Sequence, residues 1–379
     1  MTAITVPRDA LASELTFCGS AVNKRHHIEI LKGVLFSVQK ANLFIRATDL
    51  ELTAFASVLS VEDSATSDGE FTTELSPVLD FARRAPEDTV TFDASKGYVT
   101  LSSGGAKLKL PTLPAELFPS DPREVVADDP EIEMARLPVA SLLSIVRATS
   151  SAIGEEKIRF DLTGALLTAG KGKFDSVATN GVRIAYASAP ATTEDGRRAQ
   201  LGKRALEGIV KIADDGEARI TATENWTAVT VGERTLMSRA ADVNFPAWRE
   251  VIPKSYAVAI EMRADSLLGA VRRAMVAADE GSKELKLSLT KGGITLSAVH
   301  AARSADDRLA VDYSGEDFTV SVNGGHFSEA LSAMGDCVFK LSFTQPTGGV
   351  LTSGMMRLEP VPDPDSDLEQ MHLIMPIVR

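Results

Sequence analysis

Three copies of one pattern follow one another along the chain, and this repeat constrains the fold more than any other feature of the sequence. Apolar residues recur at the i, i+3, i+4 and i+7 spacing of an amphipathic helix in segments whose starts lie 131 and then 125 residues apart. A second helical segment follows each of these after about sixty-five residues. The pattern predicts six helices, at residues 8–22, 76–85, 139–150, 203–213, 264–278 and 326–334.

Between the helices the hydrophobic pattern changes to period two, with β-branched and aromatic residues, which predicts strands at residues 89–92, 218–222 and 338–343. Turn-forming residues separate these runs, so we expect antiparallel meanders rather than βαβ crossovers. Two short motifs recur at nearly the same interval as the helices. Residues 47–51 are echoed at 178–183, and residues 118–119 at 245–246. We therefore predict an α+β fold with three similar domains, at residues 1–126, 127–255 and 256–379.

No catalytic or metal-binding constellation emerges from the sequence. Ser37 and Lys40 match the Ser-x-x-Lys motif of penicillin-recognising hydrolases, but no Lys-Thr-Gly or Ser-Asp-Asn motif follows. The glycine-rich run at 164–172 has no Ser or Thr after its lysine, which is typical of a hairpin turn rather than a phosphate-binding loop. The five histidines lack metal-ligand spacing. We expect no enzyme activity, no cofactor and no metal.

Composition indicates the class of protein and its compartment. A hydrophobic content of 44% and a charged content of 24% are ordinary globular values. No run approaches the roughly 18 apolar residues of a membrane span, and the first residues do not resemble a secretion signal. Cys18 and Cys337 lie far apart among apolar neighbours, which favours two reduced, buried thiols. We predict a cytoplasmic protein.

Charge is distributed unevenly between the predicted helices and the rest of the chain. The six helical segments and residues 23–27 carry eleven basic and six acidic residues, a net charge of +5. Because the whole chain carries −12, everything else carries −17. A basic helical layer on an acidic protein would attract a phosphate backbone to one surface only, in a sequence-independent and salt-sensitive way. Aromatic residues are only 6% of the chain, which disfavours single-strand binding by base stacking.

Five segments in order carry a resemblance to a known family. They are Ala47–Glu51, Ala178–Arg183, Leu110–Pro119, Phe245–Pro253 and Ile374–Arg379. With these segments and its threefold length, the chain resembles the β subunit of bacterial DNA polymerase III, the β sliding clamp, from end to end. The resemblance implies a head-to-tail homodimer whose six domains close into a ring, with helices lining the hole and sheets outside.

In that family the ring encircles double-stranded DNA and tethers proteins without doing chemistry itself. The resemblance implies three kinds of protein partner: the catalytic subunit of DNA polymerase III, a clamp loader and other clients. Clients of the family bind through short linear peptides that carry glutamine and hydrophobic or aromatic residues. The peptides enter a groove between the second and third domains, and apolar walls with a few polar groups suit such an extended ligand.

The resemblance also implies roles for individual residues. The client-peptide groove would be formed by Leu162, Thr179, Gly181, Arg183, Ile184, Pro246, Val251, Asn323, His326, Thr347, Gly349, Leu373, Met375, Pro376 and Ile377. The DNA-facing residues would be Lys24, Arg25, Arg83, Arg84, Arg147, Lys203, Arg204, Lys211, Arg272 and Arg273. The dimer seam would contain Lys107, Leu108 and Leu110 of one subunit against Val276 and Ala277 of the other. The chain departs from the family's common residues at Asn180, Val182, Glu250 and Ser282.

Two alternatives remain open at this point. The first is a peptide-docking scaffold of the same fold that never closes on DNA. The second is a serine hydrolase that uses Ser37 and Lys40.

Overall fold

The computed structural model describes residues 2–40, 42–61, 67–95, 97–125, 132–154, 162–194, 196–213, 215–240, 245–346, 349–351 and 354–378. Within these residues the helices are α1 (Arg8–Cys18), α2 (Leu75–Arg84), α3 (Pro122–Val125), α4 (Val139–Ser150), α5 (Lys203–Ile209), α6 (Ala264–Met275) and α7 (Gly324–Met334). The strands before α5 are β1 (Thr2–Pro7), β2 (Gly33–Gln39), β3 (Asn42–Thr48), β4 (Leu52–Leu59), β5 (Gly69–Glu74), β6 (Thr89–Ser95), β7 (Tyr98–Ser103), β8 (Ala106–Pro111), β9 (Ile132–Pro138), β10 (Gly164–Gly170), β11 (Lys173–Thr179), β12 (Arg183–Pro190), β13 (Thr192–Thr193) and β14 (Arg197–Gly202). The later strands are β15 (Glu217–Ala222), β16 (Trp226–Val231), β17 (Arg234–Arg239), β18 (Val258–Arg263), β19 (Glu284–Thr290), β20 (Gly293–His300), β21 (Arg303–Ala310), β22 (Phe318–Asn323), β23 (Val338–Phe343), β24 (Met356–Pro360) and β25 (Glu369–Ile374).

All six predicted helices are confirmed, with shifts at their ends. The first ends at Cys18 and continues as a short 3₁₀ turn over Gly19–Ala21. The last begins two residues earlier than predicted, at Gly324, because the Asn323 side chain caps it by accepting a hydrogen bond from the His326 N–H at 3.1 Å. The four-residue helix α3 was not predicted.

The threefold repeat is confirmed strand by strand. Strands β2, β3 and β4 recur 131 residues later as β10, β11 and β12, and a further 120 residues on as β19, β20 and β21. In every copy these three strands form a meander whose register is antiparallel throughout. The predicted antiparallel α+β architecture is therefore confirmed.

The same hairpin turn forms at residues 47–51 and 178–183, the two segments that echo each other in sequence. In the first copy the Thr48 hydroxyl accepts from the Leu50 N–H, and Asp49 Oδ1 accepts from the next two N–H groups. In the second copy Thr179 and Asn180 do the same. Leu50 and Gly181 hold the positive φ that the turn requires, at 79° and 91°. Asn180 therefore has the same structural role in the second copy as Asp49 has in the first.

The chain divides into two compact units that do not coincide with the three copies. One unit is Met1–Ala140 with Arg204–Ala241, and the other is Ser141–Lys203 with Asp242–Arg379. Each unit contains a sheet that continues from one copy into the next. In the first unit the strand order is β9-β15-β16-β17-β4-β3-β2-β5, and in the second it is β14-β10-β11-β12-β25-β24-β23-β18. The predicted boundary between residues 126 and 127 lies outside the described residues.

Each unit has its own apolar core between helices and sheet. In the second unit, α6 and α7 bury residues such as Leu267 and Phe327 against Phe339, Leu341 and other side chains of the third copy. Burial of one such side chain contributes roughly 1.5–3 kcal/mol. In the core of the first unit three phenylalanine rings pack together. The Phe36 ring lies 5.2 Å from the Phe71 ring and 5.4 Å from the Phe92 ring, between centroids.

The two cysteines differ in environment. Cys18 is buried, as predicted, and burial raises the pKa of its thiol far above the usual value. Cys337 is only half-buried, so the prediction of a second buried thiol is wrong. It immediately precedes β23 and packs against the edge of the third-copy core.

Candidate binding groove and basic surfaces

An apolar cluster lies on one face of the second unit's sheet. Strand alternation places Ile184 and Tyr186 of β12 beside Leu373 and Met371 of β25, their partners in the antiparallel register. The last segment of the second copy packs onto this face, and the Trp248 ring lies 5.2 Å from the Tyr186 ring between centroids. The buried members are Leu166, Val177, Ile184, Phe245, Trp248, Met371 and Leu373. We call this set the groove floor.

A pocket of about 450 Å³ opens on the groove floor. Its lining includes Leu166, Phe245, Pro246 and Trp248. Of the residues assigned to the groove by resemblance, Leu162, Ile184 and Leu373 are buried, whereas Val251 and Met375 are exposed, the latter at 41%. The arrangement therefore has a buried floor and an exposed apolar rim, which suits the side chains of an extended peptide.

The last strand is extended beyond β25, and this extension positions the rim. The Met375 N–H donates to the Val182 carbonyl at 3.0 Å, and the Ile377 N–H donates to the Ser321 carbonyl at 2.7 Å. These bonds hold Met375, Pro376 and Ile377 beside the Thr179 turn and the end of β22. Fourteen of the fifteen predicted groove residues lie among the described residues of this one unit. The fifteenth, Thr347, lies outside the described residues.

Arg183 places a positive charge in the groove, and its partners hold the guanidinium in one position. Its side chain is only 10% exposed, forms an ion pair with Glu329 at 2.5 Å between Nη1 and Oε2, and donates through Nη2 to the Ser151 carbonyl. Its buried Nε has no hydrogen-bond partner among the described residues. Burial, and next the positive charge of Arg183, lower the pKa of His326 to about 4. His326 is therefore a neutral imidazole at pH 7.

The four departures from the family differ in their structural effect. Val182 is exposed beside the groove, and Glu250 is exposed in the 3₁₀ turn Trp248–Val251. Ser282 donates its N–H to Asp279 Oδ2 at 2.7 Å in the turn after α6. Sequence reasoning omitted Tyr186, Trp248 and Met371. The alternation along β12 and β25 places Tyr186 and Met371 on the same face as Ile184 and Leu373, whereas Trp248 reaches this face from the 3₁₀ turn Trp248–Val251.

The ten basic residues predicted to face DNA are all exposed. Some are held by other side chains, since Arg204 pairs with the buried carboxylate of Asp49, and Arg273 Nε lies 2.5 Å from Asp307 Oδ2. Others form no ion pair with any residue in the described ranges, namely Lys24, Arg25, Arg84, Arg147, Lys203, Lys211 and Arg272. These cations can contact phosphates without first breaking an internal ion pair.

The residues predicted at the dimer seam lie on an edge strand and at a helix end. Strand β8 is at the edge of the sheet β1-β6-β7-β8 and alternates exposed Lys107 and Lys109 with half-buried Leu108 and Leu110. Val276, just after α6, is 77% exposed, but its neighbour Ala277 is only 4% exposed. Val276 is therefore the member of that pair with surface left to bury.

The hydrolase alternative is not supported by the environment of Ser37. Its hydroxyl donates to Glu70 Oε1, and Lys40 lies in the exposed turn after β2 with a φ of 54°. In the Ser-x-x-Lys motif the lysine is the group expected to activate the serine, but the partner of the Ser37 hydroxyl here is a carboxylate on the adjacent strand. In the part of the chain that the structure describes, no group of three or more His, Cys, Asp or Glu could hold a metal, and no helix is long and apolar enough to cross a membrane.

Comparisons with known proteins agree with this architecture. Three models of the DNA polymerase III beta subunit match the chain: the N-terminal domain over residues 2–122, the central domain over 136–247 and the C-terminal domain over 249–375. The chain is 25% identical to the curated "Beta sliding clamp" of Pseudomonas putida over 336 residues, 87% of this chain and 90% of that protein. It is also 25% identical to that of Caulobacter vibrioides over 365 residues, covering 92% and 95%.

Solved structures show the same fold. The DNA polymerase III beta subunit of Thermotoga maritima superposes with a TM-score of 0.87 at 20% identity, over 100% of both chains. A sliding clamp from Pseudomonas aeruginosa, bound to griselimycin, superposes with a TM-score of 0.86 at 22% identity, again over 100% of both chains. The fold and the three matching family models define a chain of three clamp domains. The chain belongs to the DNA polymerase III beta-subunit family, and its function is that of a DNA sliding clamp.

Proposed function

We propose that two copies of this chain close head to tail into a ring that encircles duplex DNA, and that each chain tethers the replicative polymerase and other clients through its groove. The protein does no chemistry in this role. The ring stays on DNA by topology and keeps a bound polymerase at high effective concentration near the primer end. We also propose that it acts in the cytoplasm, where such partners work.

The main support is the way in which sheets cross from one copy to the next. In the first unit the meander strand β4 pairs with β17, the last strand of the second copy. In the second unit the equivalent strand β12 pairs with β25, the last strand of the third copy. By the repeat, the two remaining members of this series are β21 of the third copy and β8 of the first. Both lie at sheet edges.

Pairing of β21 with β8 of a second chain completes the series, and the same two strand edges are then paired in both chains. Two such contacts, related by a twofold axis, close the ring. Strand β8 presents the exposed Lys107 and Lys109, and β21 presents the exposed Asp306 together with Arg303 and Arg308. Unpaired strand edges are prone to pair with other chains, and pairing these two edges with each other leaves neither of them open.

Weak contact with DNA follows from the basic helices. Lys and Arg contacts to phosphates are independent of sequence and exchange readily, which lets an encircling protein move along the duplex. Tight phosphate binding would hold the polymerase in place instead of allowing it to advance.

Retention on circular DNA tests the ring directly. The protein is loaded onto nicked circular duplex by an added clamp loader, and the circle is then cut once with a restriction enzyme. We expect retention on the circle and release after the cut. Equal retention on circle and linear duplex contradicts encirclement, and it would favour ordinary DNA binding.

The scaffold alternative makes a different prediction in the same experiment. A peptide-docking protein that never closes on DNA binds the client peptide but is retained on neither substrate. A double variant, Leu108→Asp with Leu110→Asp, is the matched control, because it leaves the groove of the other unit unchanged while it places charge at the proposed seam.

A further inference from the structure

The first unit contains a counterpart of the groove floor, at the junction between the first two copies. Strands β2, β3 and β4 stand 131 residues before β10, β11 and β12, and β17 pairs with β4 as β25 pairs with β12. The Phe118-Pro119 segment also precedes Phe245-Pro246 by 127 residues. Each residue of the groove floor therefore has a positional equivalent at the first junction.

Two central positions change from apolar to charged. Arg46 stands where the groove floor has Val177, and Asp121 stands where it has Trp248. The two side chains form an ion pair at 3.5 Å, and both are largely shielded, at 16% and 14% exposure. Arg46 also donates to the Pro119 carbonyl at 2.9 Å. An apolar surface has thus been replaced by a partly buried ion pair.

Two further positions change from apolar to polar. Thr53 occupies the position of Ile184, and Thr235 that of Met371, as the matching registers Phe55↔Thr235 and Tyr186↔Met371 show. The equivalents of Leu166 and Phe245 remain apolar and pack in a small separate cluster. The first junction therefore keeps the backbone of the groove floor but not its apolar surface.

A second arginine takes the place of the aromatic stack. Arg123 donates to Asp121 Oδ2 at 2.6 Å, and its guanidinium carbon lies 3.9 Å from the centroid of the Phe55 ring. In the groove floor, Trp248 covers the equivalent ring of Tyr186. Burial raises the pKa of the Asp121 carboxyl, but the hydrogen bonds and charge of Arg123, with the charge of Arg46, outweigh burial and lower it. Asp121 therefore stays ionised.

This network is unfavourable for an apolar peptide. A hydrophobic side chain placed there would remove the remaining water from charged groups and offer them no hydrogen bond in return. The depression that remains, about 530 Å³, is also lined by Glu70, Glu124 and Glu233. Its chemistry is polar and acidic, unlike that of the groove.

From this geometry we infer that Arg46, Asp121 and Arg123 close the first junction to client peptides, so that each chain carries one peptide site although the repeat builds two. The three residues determine specificity by exclusion. The inference rests on the proposed function of the groove in the second unit.

Peptide stoichiometry tests the inference on the full chain. The probe is a fluorescein-labelled synthetic peptide that carries glutamine followed by leucine and phenylalanine, and native mass spectrometry counts peptides per chain. We expect one per chain for the wild type. We expect two for the variant R46V/T53I/D121W/R123A/T235M, which installs residues of the groove floor and removes Arg123 from the Phe55 ring. We expect one for the matched control Arg46→Lys, which keeps the charge.

Several results would overturn the inference. Two peptides per wild-type chain would show that the first junction is already open. One peptide per chain for a quintuple variant with a wild-type circular dichroism spectrum would show that these residues do not close it. No peptide on the wild type would instead show that the proposed groove function is wrong.

The reciprocal exchange tests the same residues at the groove itself. V177R/W248D should weaken binding of the probe more than tenfold in fluorescence anisotropy. V177R alone should unfold at lower urea than the double variant, because only the double variant provides a partner for the new arginine. A folded double variant with wild-type affinity would contradict the inference, even if the quintuple variant failed to fold.

Discussion

Replacing Arg183 tests whether the charged end of the groove is a structural anchor. The bond from Nη2 to the Ser151 carbonyl is charge-assisted and shielded, which is worth roughly 1.5–3 kcal/mol. The ion pair with the half-exposed Glu329 adds only about 0–1 kcal/mol. Removal of the unpartnered, buried Nε relieves part of this loss. We therefore expect Arg183→Met to destabilise the second unit by about 2 kcal/mol.

Urea unfolding followed by tryptophan fluorescence measures this loss, because Trp248 lies on the sheet that Arg183 helps to form. Glu329→Gln is the matched control. It removes the ion pair, keeps the bond to Ser151, and should reduce stability by less than about 1 kcal/mol. The charge of Arg183 also lowers the pKa of both His326 and His372, so Arg183→Met should raise both values in an NMR titration. Equal stability of the two variants, with unchanged histidine pKa values, would refute this reasoning.

Three further predictions concern the seam, acid stability and the Thr179 turn. Leu108→Asp with Leu110→Asp should shift the protein to monomers in analytical ultracentrifugation, because charge replaces the half-buried face of β8; an unchanged dimer would exclude this edge from the seam. His372 is buried beside the Gln370 amide, and burial, followed by the charge of Arg183, lowers its pKa to about 3. The unfolded chain binds a proton near pH 6.5 that native His372 does not bind, so this residue should lower stability by about 2 kcal/mol at pH 5. His372→Gln should remove that share of the pH dependence, and the share that remains comes from His326, whose pKa is also lowered, to about 4. Gly181→Ala should reduce stability by about 1 kcal/mol because φ is 91°, whereas Gly202→Ala, whose added methyl meets open space, should change the urea midpoint little.

Local pattern predicted much of the architecture. The helices and the strand runs were recognisable because the period of apolar residues follows from one buried face. The Thr48 and Thr179 turns were found as a sequence echo, since the side chains that build them lie within a few residues of each other. These features depend only on neighbouring residues.

What the sequence did not predict depends on contacts between distant residues. The stack of Trp248 on Tyr186 needs a segment sixty-two residues away to fold back onto the sheet. The network of Arg183 joins α7, β12 and the end of α4. The division into two units that split the middle copy was not predicted either, because the repeat marks similar sequence and not the order in which strands pair.

The pairing of β4 with β17 has a consequence during synthesis of the chain. Residues 52–59 leave the ribosome about 180 residues before 234–239, which at 5–20 residues per second is roughly ten to forty seconds. Throughout that interval the nascent chain presents the edge of Leu52–Leu59, an almost wholly apolar strand, without its native neighbour. Strand β4 later joins two copies, but before β17 is synthesised a chaperone or a neighbouring nascent chain can bind its open edge.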